Sequence, residues 1–123
     1  MKFENERAIY LQIANYLCEK ILRKKLKEEE RIPSAREFSK DISVNPNTII
    51  RSYKYLENRG IIHKKRGLGY FVVKHAGKKV LALKKERFFN EELPAIFKSL
   101  NLLGINFGLL EKMYGKSKKG DES

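Results

Sequence analysis

Between Asn45 and Asn58 the chain places Asn47, Arg51, Lys54 and Asn58 at steps of three and four, a spacing that aligns them along one face of a helix. All four can donate hydrogen bonds, two of them with a full positive charge, which suits phosphate oxygens and the acceptors on base edges. Ile49, Tyr53 and Leu56 form a second, apolar stripe on the same segment. Such a helix can be packed on one side and offered to a polyanion on the other. Solvated helix faces use the same residue types, so the surrounding charge has to separate the two readings. From Arg51 to Arg66, Arg51, Lys54, Arg59, Lys64, Lys65 and Arg66 are opposed by Glu57 alone, a local excess of +5. Arg66 and Gly67 add a cation and a position without a side chain, a pair suited to close approach in a minor groove.

The whole chain leans the same way. Its 123 residues hold 27 Lys and Arg against 15 Asp and Glu, a net charge of +12 that fits a densely anionic partner, with nucleic acid foremost. The length suits one ordinary domain, or a small domain with an appendage, and excludes a large enzyme fold. We find no paired carboxylates placed as in a cleft, no nucleophile elbow and no phosphate-cradling glycine loop, so the chain reads as a non-enzyme. One cysteine, Cys18, and the widely spaced His63 and His75 offer no metal-ligand spacing, and no metal or other cofactor is expected. Cys18 sits among Tyr16, Leu17 and Ile21 and reads as a small core residue. Neither a signal-like stretch nor an apolar run near the roughly 20 residues of a bilayer span is present, which predicts a cytoplasmic protein without membrane contact.

The elements that must position the donor stripe can be read in order. Tyr10, Ile13, Leu17 and Ile21 mark a first helix from Ala8 to Leu26, followed by the acidic run Glu28, Glu29 and Glu30 in a solvated turn. After Pro33, Ser34 and Glu37 have the spacing of a capping box, opening a short second helix from Ala35 to Asp41 with Ala35, Phe38 and Ile42 inward. Asn45 as N-cap and Pro46 at the first position announce the third helix, and Gly60 ends it. Two β-prone runs, 61–65 and 70–73, flank Arg66-Gly67-Leu68-Gly69 as a hairpin. Three helices followed by a hairpin, with a short turn between the second and third, is the order of a winged helix-turn-helix. The fold class is therefore mainly α with a small β-hairpin: a winged helix-turn-helix over residues 1–77, then a short helical segment.

Taken together, several strings carry a resemblance: Tyr10-x-Gln12-Ile13; Ile32-Pro33-Ser34-Ala35-Arg36-Glu37-Phe38; Val44-Asn45-Pro46-Asn47-Thr48-Ile49; Leu56-Glu57-x-x-Gly60-Ile61-Ile62; and Gly67-x-Gly69-Tyr70-Phe71-Val72. In this order, over about residues 8 to 73, they resemble the GntR family of bacterial regulators, and the short tail with Asn-Pro-Asn-Thr is similar to its YtrA-like subgroup. The resemblance implies DNA contacts by Arg36, with Ser34 in the same string, by Asn45, Asn47 and Thr48 at the start of the third helix, and by Arg66 and Gly67 at the wing tip. Arg51, Lys54 and Lys65 join them as phosphate anchors or as bystanders. Some members have Arg where this chain has Pro46 and Ile50, so Arg51 is expected to take over part of the reading.

Residues 78–115 are expected to form a helical dimerisation segment, with a break near Asn90 to Pro94 and a last short helix from Ile105 to Tyr114. Residues 116–123 read as a polar, disordered tail. Phe88, Phe89, Leu93, Ile96, Phe97, Leu100, Leu103, Phe107 and Leu110 supply more apolar surface than so short a segment can bury in itself, and an isologous homodimer would cover it. Docking on the winged helix is the competing use of that surface. The expected function is a sequence-specific regulator of transcription, a repressor that binds a palindromic operator in double-stranded DNA as a homodimer. A small-molecule effector, if there is one, is not named by any residue. The alternative is a winged-helix module for RNA or a protein partner.

Overall fold

The computed structural model describes residues 9–122, with side chains to residue 119. The Ala8 start expected for the first helix and the terminal Ser123 lie outside the described residues. Helix α1 spans Ile9–Leu22 and buries Ile13, Ala14, Leu17, Cys18 and Ile21. It ends four residues before the expected Leu26 because Lys24 takes a left-handed φ of 59°, and the Lys25 amide donates back to the Lys20 carbonyl at 2.8 Å. That is the reversal a glycine would normally supply.

Helix α2, Ala35–Ile42, opens on the capping box read from the sequence: the Glu37 amide donates to Ser34 Oγ at 3.1 Å, and the Ser34 amide donates to Glu37 Oε1 at 3.4 Å. Phe38 and Ser39 are buried, and Ser43, at φ 54°, turns the chain toward the next helix. Helix α3, Pro46–Asn58, has Asn45 as its N-cap, whose side-chain oxygen accepts from the Asn47 amide at 2.8 Å. Its C-terminus is a Schellman reversal: the Ile61 amide reaches the Leu56 carbonyl and the Gly60 amide reaches Glu57, with Gly60 at φ 72°.

Strands β1, Ile62–Lys65, and β2, Gly69–Val72, pair antiparallel with Ile62 opposite Val72 and Lys65 opposite Gly69. The turn between them is closed by the Leu68 amide on the Lys65 carbonyl at 2.8 Å, and Gly67 at φ 78° takes the position where a type II turn demands positive φ. A two-stranded hairpin is marginal alone, and this one gains a third edge. The segment 29–32 pairs with β2 through Glu29 to Val72, Val72 to Glu30 and Ile32 to Tyr70. The acidic run expected as a solvated turn is therefore half structural. Glu28 Oε1 accepts from the His75 amide and Glu30 Oε2 from the Lys27 amide.

One core joins these elements: α1, α3 and the hairpin contribute Ile13, Leu17, Ile49, Tyr53, Leu56, Ile62 and Val72. Within it the Tyr53 hydroxyl donates to the Pro33 carbonyl at 2.6 Å, and burial pushes the phenol's pKa far up, so it stays a donor. Ser52 Oγ lies 2.7 Å from the Tyr10 carbonyl and donates to it, fastening α3 to α1. Arg31 Nε donates to the Leu68 carbonyl in the wing turn at 3.0 Å, while its guanidinium lies 3.6 Å from Glu37 on α2. A Cβ on Gly69 would come within 3.1 Å of Arg31 Nε.

Helix α4, Ala76–Arg87, begins in this first unit, where Ala76 and Val80 are buried. The compact unit runs to Leu83, and those two side chains belong to its core. The second unit, 84–123, continues α4 into a π-helical turn, Phe88–Glu92, then α5, Leu93–Leu103, and α6, Phe107–Glu122. At the break expected near Asn90 to Pro94, the α-helical pattern gives way to the π turn, and α5 opens with Pro94 in its first turn. Proline has no amide for an i−4 bond, and the wider turn, in which the Leu93 amide donates to the Phe88 carbonyl, carries the helix into Pro94. Gly104 at φ 65° ends α5, and Asn106 caps α6 by accepting from the Gly108 amide at 2.6 Å. Helix α6 starts later than expected and runs through residues 116–122, which the sequence suggests as a tail.

Two outcomes follow. Tyr53→Phe deletes a buried donor and should cost about 1 to 2 kcal/mol in urea unfolding; an unchanged midpoint would show that the bond to Pro33 adds nothing. Arg31→Ala should speed amide exchange at Leu68 and Gly69 while moving global stability by no more than about 0.5 kcal/mol, and unaltered exchange would remove Arg31 as the brace of the wing.

Candidate nucleic-acid interface

Helix α3 is positioned by its buried stripe. Ile49, Ser52, Tyr53 and Leu56 are all at most 1% exposed. With that side locked into α1 and the hairpin, Asn47, Arg51, Lys54 and Asn58 are left exposed together, as their spacing predicts. The helix start is built for donors. Asn45 uses its side-chain oxygen for the cap, which leaves its NH2 group for an outside acceptor, and Pro46 needs no amide partner. Thr48 is half-buried behind them.

Helix α2 presents Arg36 in its first turn, exposed, next to the half-buried Ser34. The Glu37 carboxylate beside it is occupied internally. Hydrogen bonds from Ser34, with the Arg31 charge adding, hold its pKa below the ordinary carboxylate range, so it remains an anion tied to the cap. At the wing, Arg66 and Gly67 occupy the exposed turn, and Lys65 Nζ lies over the Phe71 ring at 4.3 Å from its centroid. All ten candidate residues, Ser34, Arg36, Asn45, Asn47, Thr48, Arg51, Lys54, Lys65, Arg66 and Gly67, thus belong to the first unit and sit at the start of α2, along α3 and on the hairpin.

Two residues whose positioning role the sequence did not show support the strip and the wing. The Arg51 guanidinium lies over the Tyr10 ring at 4.0 Å, and Tyr10 in turn meets Tyr55 edge-on at 6.1 Å, with Arg59 over the Tyr55 ring at 3.7 Å. Tyr10 therefore does more than fill the α1 stripe: it fixes one cation of the donor strip against α1. With its face covered, the Arg51 guanidinium presents its donors along its edge. Arg31, the second, braces the wing turn against α2. The Tyr10-x-Gln12-Ile13 string marked Tyr10 as special, whereas nothing local to Arg31 reveals a bond 37 residues away.

The comparisons with known proteins agree with this geometry. The family model described as bacterial regulatory proteins, gntR family, matches residues 9–72. The chain is 35% identical over 104 residues to the uncharacterized HTH-type transcriptional regulator YhcF of Bacillus subtilis, spanning 85% of this chain and 84% of that one. It is 34% identical over 106 residues to the HTH-type transcriptional repressor YtrA of the same organism, spanning 86% and 78%. Among solved structures, a regulator assigned to the GntR family from Bacteroides thetaiotaomicron is 44% identical with a TM-score of 0.79, over 93% of this chain and 99% of that one. The match covers the capping box, the donor helix and the wing in one stretch, and the chain belongs to the gntR family of bacterial regulatory proteins.

Proposed function

We propose that the chain is a homodimeric transcription factor that binds a palindromic operator in duplex DNA and acts as a repressor. The observation that carries the DNA reading is the exposed face of α3, whose donors Asn47, Arg51, Lys54 and Asn58 run beside a wing of the same charge while the opposite face is buried. In this reading α3 lies in the major groove, Asn47 and Thr48 meet base edges, and Arg51, Lys54 and Lys65 anchor phosphates. Ser34, Arg36 and Asn45 hold the flanking backbone, and Arg66 with Gly67 enters the adjacent minor groove. The repressor sense follows the relative YtrA, which is named a repressor. The same reading places the protein in the cytoplasm, with its DNA.

Support for the dimer comes from the second unit taken by itself. No side chain between residues 84 and 119 is buried, and Phe97 and Phe107 are 48% and 65% exposed. The candidates Phe88, Phe89, Leu93, Ile96, Leu100, Leu103 and Leu110 likewise remain exposed or half-buried. A helical segment with no core of its own is stable when a second copy supplies one. Two subunits then present two α3 helices about one DNA turn apart, roughly 34–36 Å, which is the origin of operator palindromy.

Selection of duplexes from a random library, followed by titration at two salt concentrations, tests the DNA reading. A palindromic winner preferred over a scrambled control is expected, with Arg36→Ala weakening it by about 1 to 3 kcal/mol. Equal and steeply salt-dependent binding to both duplexes would leave only a basic surface, and preference for RNA would establish the alternative module. Light scattering should give twice the chain mass for the wild type, and Phe97→Asp should halve it; a wild-type monomer at micromolar concentration would sink the dimer.

A further inference from the structure

Helix α3 carries one exposed side chain that neither the core nor the charge of the helix accounts for. Ile50 is 40% exposed, whereas its neighbour Ile49 and the following Leu56 are at 0%. An isolated exposed isoleucine is ordinary on a protein surface, and what sets this one apart is its company. Beyond Pro46, the other exposed residues of α3 are Asn47, Arg51, Lys54 and Asn58, each a hydrogen-bonding or cationic group. Ile50 follows Asn47 by three positions and precedes Lys54 by four, so it lies on the same strip. At about 100° of turn per residue, Ile50 and Arg51 occupy opposite margins of that strip. Arg51 is drawn toward α1 by the Tyr10 ring, on the margin away from Ile50.

A donor strip that enters the major groove exchanges water for hydrogen bonds to DNA. Ile50 has no hydrogen bond to offer. Pressed against a purine edge or the cytosine amine, it would strip water from a polar group and return nothing, which costs free energy. The major groove has one apolar feature, the C5-methyl of thymine. We propose that Ile50 is a specificity-determining residue that reads one thymine in each half-site through that methyl and disfavours cytosine there by desolvating its amine. The proposal rests on the reading of α3 as the DNA-recognition helix and adds to it a base identity that hydrogen-bond counting along α3 would miss.

The test uses the full chain and the duplex selected from the library. Each thymine is replaced in turn by deoxyuridine, which removes the methyl and leaves every hydrogen-bonding group in place. At one thymine per half-site the wild type should lose about fourfold in affinity, the worth of one buried methyl group. Ile50→Ala should bind more weakly and be indifferent to the same replacement, and Ile50→Val should keep part of the sensitivity; circular dichroism confirms that both variants fold. If no thymine is methyl-sensitive, or if Ile50→Ala keeps the full fourfold effect, another side chain such as Thr48 reads the methyl and the proposal is overturned. Failure to prefer any duplex over a scrambled control is a separate result, one that removes the DNA reading along with it.

Discussion

The contact on which the rest of the first unit depends is the burial of α3 along Ile49, Ser52, Tyr53 and Leu56. A helix of 13 residues is near the limit of what stands alone in water, so its orientation is decided by what covers that stripe. Ser52 anchors it to the α1 backbone and Tyr53 to the Pro33 carbonyl just ahead of α2. Because both bonds lie inside an apolar core, rotating α3 would expose Ile49 and Leu56 and orphan two buried polar groups at once. The donor strip is exposed as a consequence of that packing.

The wing depends on the same helix at one remove. Tyr70 on β2 meets Tyr53 edge-on at 5.3 Å, and Ile62 and Val72 close the core beneath the hairpin. What the core leaves undetermined is the turn itself, which projects beyond any apolar contact. Arg31 supplies the missing constraint with one bond to the turn carbonyl and one ion pair to α2. The ion pair is exposed and worth little as stability. Its value is geometric, since it relates the position of Arg66 and Gly67 to the start of the helix that carries Arg36.

The second unit obeys a different economy. Its helices are joined by a π turn, a glycine reversal and an asparagine cap, all local devices that shape a chain without burying it. Local capping contributes roughly 1 kcal/mol per site, far too little to hold several turns of helix against their conformational entropy. The exposed Phe88 and Phe89, in edge contact at 5.4 Å, Phe97 and Phe107 are the surface from which the balance must come. In the proposed homodimer, folding of this unit and assembly would be one event, which would link DNA affinity to protein concentration.

Most of the first unit was legible in the sequence because its signals are local. The capping box at Ser34 and Glu37, the Asn45-Pro46 start, Gly60 and the glycines of the hairpin each depend on residues a few positions apart. The two faces of α3 follow from a 3.6-residue period. A misreading fell where a local signal had two outcomes: Lys24 ended α1 in a conformation usually left to glycine, while the π turn ahead of Pro94 was not foreseen. The family strings placed the donor residues, and the structure added those that hold them. Sequence alone thus determined which side chains are donors and which elements carry them, since composition and periodicity are properties of the chain. Only the tertiary structure decided that Arg51 leans on Tyr10, that Arg31 braces the wing and that Ile50 stands uncovered, because each depends on which elements pack together.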